Sequence, residues 1–341
     1  MKYLIGFFLL FAGSANAQQQ QPHPDETVEV RVLDVGAGLC NLIKMPGNKY
    51  IIYDAGGDYN TNGNRTVEQI KSFIPAGSEI ELMVLSHTDA DHIVAAGQVI
   101  RDFKVKKLLW GGYERSMIDA EQPTAAYQRI IAALDEIRST ENVNLNQRDS
   151  VITPGNHFTI GSTTITFLCG FGKPLPEWGL TDKAEKLNAV SIVMRLDFAG
   201  NSVLFCGDAV GRHRDDPEDA LIATEKFMVE KARQYLPCTV IIAPHHGAKN
   251  ASSAAFVNLV RPKAVVFSAG HKFHHPETLT AKRYLQYVSA SSIFRTDRGD
   301  DEGGTEWDYL RVPGTRDGYN DDNIDILLES DHSYKVFYLD K

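Results

Sequence analysis

Long apolar runs are scarce in this 341-residue sequence. The run near the amino terminus, Leu4–Ala12, is well short of the roughly 20 residues that a membrane-spanning helix needs. It follows Lys2 and precedes small residues at Ala15 and Ala17, the layout of a secretory signal cut before Gln18. Residues 1–17 are therefore read as a signal peptide, with the remainder periplasmic or extracellular and not stably inserted in a membrane. No cysteine stands at the cleavage point to carry a lipid. Positive charge is also short, with 35 Lys and Arg against 44 Asp and Glu and a net charge of −9. That excludes a broad basic face for gripping nucleic acid. It does not exclude a nuclease, because bound cations reverse the sign of a site locally.

Cysteine is sparse as well. Cys40, Cys169, Cys206 and Cys238 are too widely spaced for a zinc ribbon. An oxidising compartment permits disulfides, while the positions of Cys169 and Cys206 at the ends of apolar runs suit buried thiols equally well. Hydrophobic residues make up 43% and charged residues 23%, an ordinary globular composition with enough apolar material for a large core.

A polar linker is expected over 18–27. From Val28 strand patterns take over: "VEVRVLDVG" alternates, and two runs meet at a Pro46-Gly47-Asn48 turn. "RTVEQIKSFI", "AAGQVIRDF" and "TAAYQRIIAALDEIRS" have helical spacing, and "IELMVLSH" reads as a buried strand. The second half repeats this rhythm, with hairpins turning at Gly161 and Gly200 and then strands alternating with helices. Hairpins followed by alternation, once in each half, predict two mixed sheets packed face to face with helices outside. One domain is expected over 28–296. Residues 297–341 are expected as an extension made of an acidic, solvated loop ("DRGDDEGGTEWD") and a hairpin-like end.

The densest chemistry lies in "LSHTDADHIVAAG", where His87, Asp89, Asp91 and His92 fall within six positions. Imidazole nitrogens and carboxylate oxygens are the usual ligands of borderline and hard divalent ions. Four of them at a strand end can serve two metals. Asp208 ends "SVLFCGD", His245 and His246 end "TVIIAPHHG", and His275 follows "AVVFSAG". Successive strands thus present acids and histidines at one end.

The set "SHTDADH", "CGD", "APHHGAKNAS" and "HHP" resembles the metallo-β-lactamase fold superfamily, and within it the soluble domain of ComEC/Rec2-type DNA-uptake proteins and its free-standing relatives. The resemblance covers about residues 28–296. It implies an α+β fold, a four-layer αββα sandwich. It also implies His87 and Asp89 at a first metal, Asp91 and His92 at a second, Asp208 bridging both, and His246 as the final histidine ligand. Asn188 falls near a place where many relatives carry histidine, so its amide oxygen is a weak candidate ligand, and His275 is either an outer ligand or a histidine on the substrate side. Asp91, at the second metal, and His245, as a residue that positions substrate or protonates the leaving group, are the candidates for catalytic roles. Asp54 is expected to orient a ligand from behind. Lys249 and Ser252 are candidates for holding an anionic phosphate.

Two divalent ions bridged by Asp208 would activate a hydroxide near neutral pH and stabilise charge on the attacked group. Zinc is the first expectation. Manganese is the alternative, because Asp89 and Asn188 in place of imidazoles make the first site oxygen-rich. The resemblance implies a phosphodiesterase or nuclease acting on an anionic phosphodiester, nucleic acid included, and the expected signal peptide adds that it is exported. Two alternatives stay open: a lactonase or other carboxyl-ester hydrolase, and a non-catalytic metal-binding envelope protein.

Overall fold

The computed structural model describes residues 22–339 apart from 24–25, 58–60, 62, 120 and 317. The expected signal segment and most of the expected linker lie outside the described residues. Strands β1 (Thr27–Val32), β2 (Cys40–Met45), β3 (Lys49–Ala55), β4 (Glu79–Leu85), β5 (Lys104–Val105), β6 (Lys107–Trp110) and β7 (Glu141–Asn144) build a first sheet. Strands β8 (Asn156–Ile160), β9 (Thr163–Cys169), β10 (Val193–Phe198), β11 (Asn201–Phe205), β12 (Val240–Ile242), β13 (Ala264–Phe267) and β14 (Ile293–Arg295) build the second. The carboxyl-terminal hairpin, β15 (Ile324–Glu329) and β16 (Tyr334–Tyr338), joins the first sheet beside β1. Among the described residues the two sheets hold nine and seven strands.

Alternation in β1 places Val28, Val30 and Val32 in the layer between the sheets, where they meet Phe167, Phe198 and Phe205. The Tyr53 hydroxyl donates to the Ile192 carbonyl at 2.7 Å, a polar tie across that layer. Helices cover the outer faces. Val67 and Ile70 of helix Asn64–Phe73 and Ile130 of helix Ala125–Glu136 pack on one sheet. Phe227 and Met228 of helix Ala223–Lys231 and Phe256 of helix Ala254–Val260 pack on the other. This is an α+β sandwich of four layers, with all four cysteines buried as free thiols.

The hairpin-like end is β15 and β16, and it is built into the domain: β15 pairs with β1 over six residues, and Ile326 and Leu328 enter the core between the sheets. One expectation about the tail needs correction. The acidic loop is not solvated as a whole, since Asp297, Asp300 and Glu306 are buried. The Arg295 guanidinium forks onto Asp297 with two contacts of 2.7 Å and also reaches Glu306. Burial works against the charge on Arg295, yet the two carboxylates hold its pKa above the ordinary arginine value.

The parallel strands set up the site. β3, β4 and β6 run parallel in one sheet, and β11 through β14 run parallel in the other. The loops that follow β4, β11, β12 and β13 carry His87–His92, Asp208, His245–His246 and His275. Loops at the carboxyl ends of parallel strands are where α/β sheets gather ligands.

Candidate metal centre

Close packing of backbone brings these loops together. Gly56 touches the carbonyl of Asp91 so closely that any side chain there would overlap it. Gly207 takes a φ of +52° directly against Ser86, which lets Asp208 approach His87.

Asp208 is the hub. Its Oδ1 lies 3.1 Å from His92 Nε2 and 3.6 Å from His246 Nε2. Its Oδ2 lies 3.8 Å from His87 Nε2 and 3.5 Å from His245 Nε2. Asp89 Oδ2 is 3.8 Å from His87 Nε2, and Asp91 Oδ2 is 3.8 Å from His246 Nε2. Around Asp208, two groups of potential ligand atoms are compact enough to hold one ion each: His87, His92 and Asp208, and Asp91, His92 and His246.

The hydrogen bonds behind these rings decide which nitrogens face the centre bare. Ser86 Oγ donates to Asp54 Oδ2 at 2.7 Å, so it accepts from His87 Nδ1 at 3.0 Å. His92 Nδ1 donates to Asp54 Oδ2 at 2.8 Å, and His246 Nδ1 donates to the Ser268 carbonyl at 2.7 Å. With Nδ1 carrying the proton, each ring turns an Nε2 lone pair inward. His87 Nε2 is buried with no hydrogen-bond partner, and the Nε2 atoms of His92 and His246 are 3.1 Å apart. Lone pairs of two imidazoles and a carboxylate at this separation repel unless a cation lies among them. The donor set therefore fits divalent metals.

The electrostatics describe how the protein alone answers that conflict. Burial would raise the pKa of Asp208, but the imidazoles of His92, His245 and His246 hold it well below the usual carboxylate range. Burial opposes charge on His92, yet Asp208 and Asp54 on either side raise its pKa well above the usual value. Burial and the neighbouring Asp91 push Asp89 up to about 7 against the pull of Arg115. Burial drives His87, His245 and His275 the other way, toward the neutral imidazole.

Asp54 lies behind the centre, accepting from the Ser86 amide at 2.6 Å as well as from His92. Its left-handed backbone, φ 60°, marks a fixed turn at the end of β3. The Asp54→Asn variant is expected to bind metal about 10–100-fold more weakly, because it loses the carboxylate that fixes the His92 ring. Competition with a chromogenic chelator measures this, and unchanged affinity would deny Asp54 that role.

Several sequence expectations change here. The Asn188 amide is not directed at the centre as a free ligand: oriented to satisfy its neighbours, its nitrogen donates to the Ala184 carbonyl and to Asp89 Oδ2, each at 3.2 Å, and its oxygen accepts from His245 Nε2 at 3.3 Å. His275 belongs to neither compact ligand group; its ring stacks on His246 at 6.3 Å between centroids, with a buried Nε2 that has no hydrogen-bond partner. Ser252 is fully buried, its amide donating to Glu225 and its hydroxyl bonded to Tyr284, so it is closed to substrate. Lys249 is outside the cleft lining and reaches Asp215 at 3.4 Å.

The centre opens into a cleft of about 1040 Å³. Arg115, Arg214, Lys272 and Arg316 line it, together with the aromatic rings of Phe273 and Tyr319. Sequence reasoning missed these six. They come from four separate segments, with Lys272 beside Phe273 and Arg316 close to Tyr319, and are ordinary surface residue types with no spacing that would single them out.

A family model described as metallo-beta-lactamase superfamily matches residues 33–271. ComE operon protein 3 of Bacillus subtilis is 22% identical over 303 residues, covering 84% of this chain and 34% of that protein. Recombination protein 2 of Haemophilus influenzae is 25% identical over 274 residues, covering 77% of this chain and 27% of that protein. The chain thus spans about a third or less of the length of these relatives. Among solved structures, the metallo-beta-lactamase fold protein YhfI from Bacillus subtilis is similar at 12% identity with a TM-score of 0.45, covering 79% of this chain and 96% of that one.

Proposed function

The chain belongs to the metallo-β-lactamase superfamily of metal-dependent hydrolases, and on that premise we propose that it is an exported phosphodiesterase. Export is read from residues 1–17. His87, Asp89, Asp91, His92, Asp208 and His246 would hold two divalent ions, zinc first and manganese as the alternative. Bound there, the ions would supply Lewis acidity and a water acidified to near-neutral pKa.

The protein's own groups then have distinct tasks. Asp54 and Ser86 fix the rings of His92 and His87. Asp208, with an oxygen turned to each ligand group, sets their separation. His275, buried at the cleft wall with Nε2 unpartnered, is placed to meet the leaving group or a non-bridging oxygen.

The observation that carries the choice of a phosphodiester is the set of four cationic side chains in the cleft wall, which stand beside the carboxylates of the centre and Asp182, Glu185 and Asp215. Arg115, Arg214, Lys272 and Arg316 line the cleft, Arg115 beside Asp89 at 3.4 Å and Arg214 beside Glu277 at 3.0 Å, and guanidinium forks match phosphate oxygens in geometry as well as charge. Phe273, 55% exposed, offers a ring face beside them, against which a flat group attached to the phosphate can stack. A nucleic-acid strand supplies both features, and the name of recombination protein 2 is in keeping with such a substrate.

The protein purified without chelator and supplied with zinc or manganese is expected to hydrolyse bis-p-nitrophenyl phosphate, to lose that activity in EDTA, and to regain it when metal is restored. Cleavage of a lactone but not of the diester would move the protein to the carboxyl-ester hydrolases. Full metal loading with no turnover on either would leave a metal-binding envelope protein.

A further inference from the structure

We propose that His271, held from behind by Asp300, gives the proton to the leaving group, and that this pair is what the buried acidic loop builds for the cleft. The inference rests on the phosphodiesterase reading above and assigns its proton donor.

His271 lies on a segment fixed at several points. The Ser268 carbonyl accepts from His246 Nδ1 at 2.7 Å, and the His275 ring lies 5.9 Å from that of His245. Thr296 Oγ1 pins Ala269, accepting from its amide at 3.0 Å and donating to its carbonyl at 2.9 Å. Between these points His271 stands in the cleft wall with 32% of its side chain exposed.

Its Nδ1 donates to Asp300 Oδ1 at 2.6 Å. Asp300 is closed to solvent and does not line the cleft, so it stands behind the ring. The acidic loop holds it there: the Asp300 amide donates to the Asp297 carbonyl at 3.0 Å, and Arg295 grips Asp297. An ionised carboxylate only accepts, so Nδ1 carries the hydrogen and the opposite nitrogen, Nε2, belongs to the exposed side of the ring. A buried anion at Nδ1 fixes the ring and stabilises the imidazolium that delivers a proton from Nε2.

Two other histidines of the cleft lack this arrangement. His213 Nδ1 meets Glu185 at 2.7 Å, but Glu185 lines the cleft itself, where its charge opposes an incoming phosphate. His275 Nε2 is buried without a hydrogen-bond partner, and among the described residues no carboxylate bonds to its ring. That suits a hydrogen bond to a non-bridging oxygen and leaves the leaving group to His271.

In the step, the oxygen of water bonds to phosphorus and the bond from phosphorus to the leaving oxygen breaks. The leaving oxygen keeps the electron pair and takes the proton from His271 Nε2, giving an alcohol and a phosphate monoester. The proton given up by the water passes to solvent, from which His271 is protonated again. His271 is thus a catalytic residue and Asp300 a positioning residue.

The test is the dependence of rate on the leaving group, measured with diaryl phosphates from bis-p-nitrophenyl phosphate to diphenyl phosphate. p-Nitrophenolate departs readily without a proton, whereas phenolate needs one. In His271→Gln the rate on diphenyl phosphate is expected to fall about 10²-fold further than that on bis-p-nitrophenyl phosphate, the lower end of what general acid catalysis contributes. Elemental analysis is expected to find the metal content of wild type. Asp300→Asn, which keeps the shape of the side chain without its charge, is expected to shift the same comparison in the same direction and serves should the first variant not fold. Equal losses across the series, or a loss of metal, overturn the proposal and make His271 a support of the cleft wall. Wild type inactive on bis-p-nitrophenyl phosphate overturns the phosphodiesterase reading itself.

Discussion

Asp208→Ala is expected to reduce phosphodiester hydrolysis on the order of 10³-fold or more and to leave the protein short of metal. Loss of an outer partner to a ligand costs about 10–100-fold. Asp208 stands further in, with one oxygen within 3.6 Å of His92 and His246 and the other within 3.8 Å of His87 and His245. A tenfold loss corresponds to about 1.4 kcal/mol of barrier, so the expected effect amounts to at least about 4 kcal/mol. The variant leaves four imidazoles facing one another without their shared anion, and neither ion then has its full set of donors. Steady-state kinetics together with elemental analysis checks this. A variant with wild-type turnover would place the reaction elsewhere.

Arg295→Met is expected to have the largest effect on stability, a loss of about 3–5 kcal/mol, because it leaves the buried Asp297 without its cation and Glu306 with only Arg311, 3.5 Å away. Asp297 and Glu306 are closed to solvent, and burial already raises the pKa of Asp297 despite the guanidinium beside it. For a chain of this size the melting temperature would fall on the order of 10 °C. The damage would reach the cleft. The loop that Arg295 secures also carries Trp307, whose amide donates to the Pro276 carbonyl, and Glu302, which accepts from the His274 amide. Arg295 thus ties the end of β14 to the segment bearing His275. Thermal unfolding followed by circular dichroism measures the loss; a melting temperature within a degree or two of wild type would mean that the loop does not depend on the ion pair.

The part of this site that the sequence disclosed is the part in which chemistry is concentrated or placed at a strand end. His87, Asp89, Asp91 and His92 are too polar for the segment between an apolar strand and a run of small residues, and Asp208 and His246 each close a strand with a glycine adjoining. Those signals survive in one dimension because the local chain itself is unusual. Ser252 shows where they stop. It follows the paired histidines closely, yet the turn points it into the interior, against Glu225 and Tyr284. Sequence distance from a ligand says nothing of direction. Asn188 was read by the place it holds in relatives, whereas its role here depends on Ala184, Asp89 and His245.

Long-range partners were hidden for the same reason. The acids of 297–306 read as a solvated run, because nothing in their spacing reveals that Arg295, two residues before the first of them, turns inward at the end of a short strand. The cleft lining is the extreme case: Arg115 follows β6 of one sheet and Lys272 follows β13 of the other, and they line one cleft only once the two layers are packed. The sandwich itself was legible, since alternation in β1 and helical spacing in 125–136 are properties of the local pattern.

The central claim is that the histidines and aspartates around Asp208 constitute a two-metal centre. Its most direct test is elemental analysis of the wild-type protein, purified without chelator and dialysed against metal-free buffer after loading with zinc or manganese. About two ions per chain are expected, both released by EDTA. No ion retained, after either metal, would contradict it.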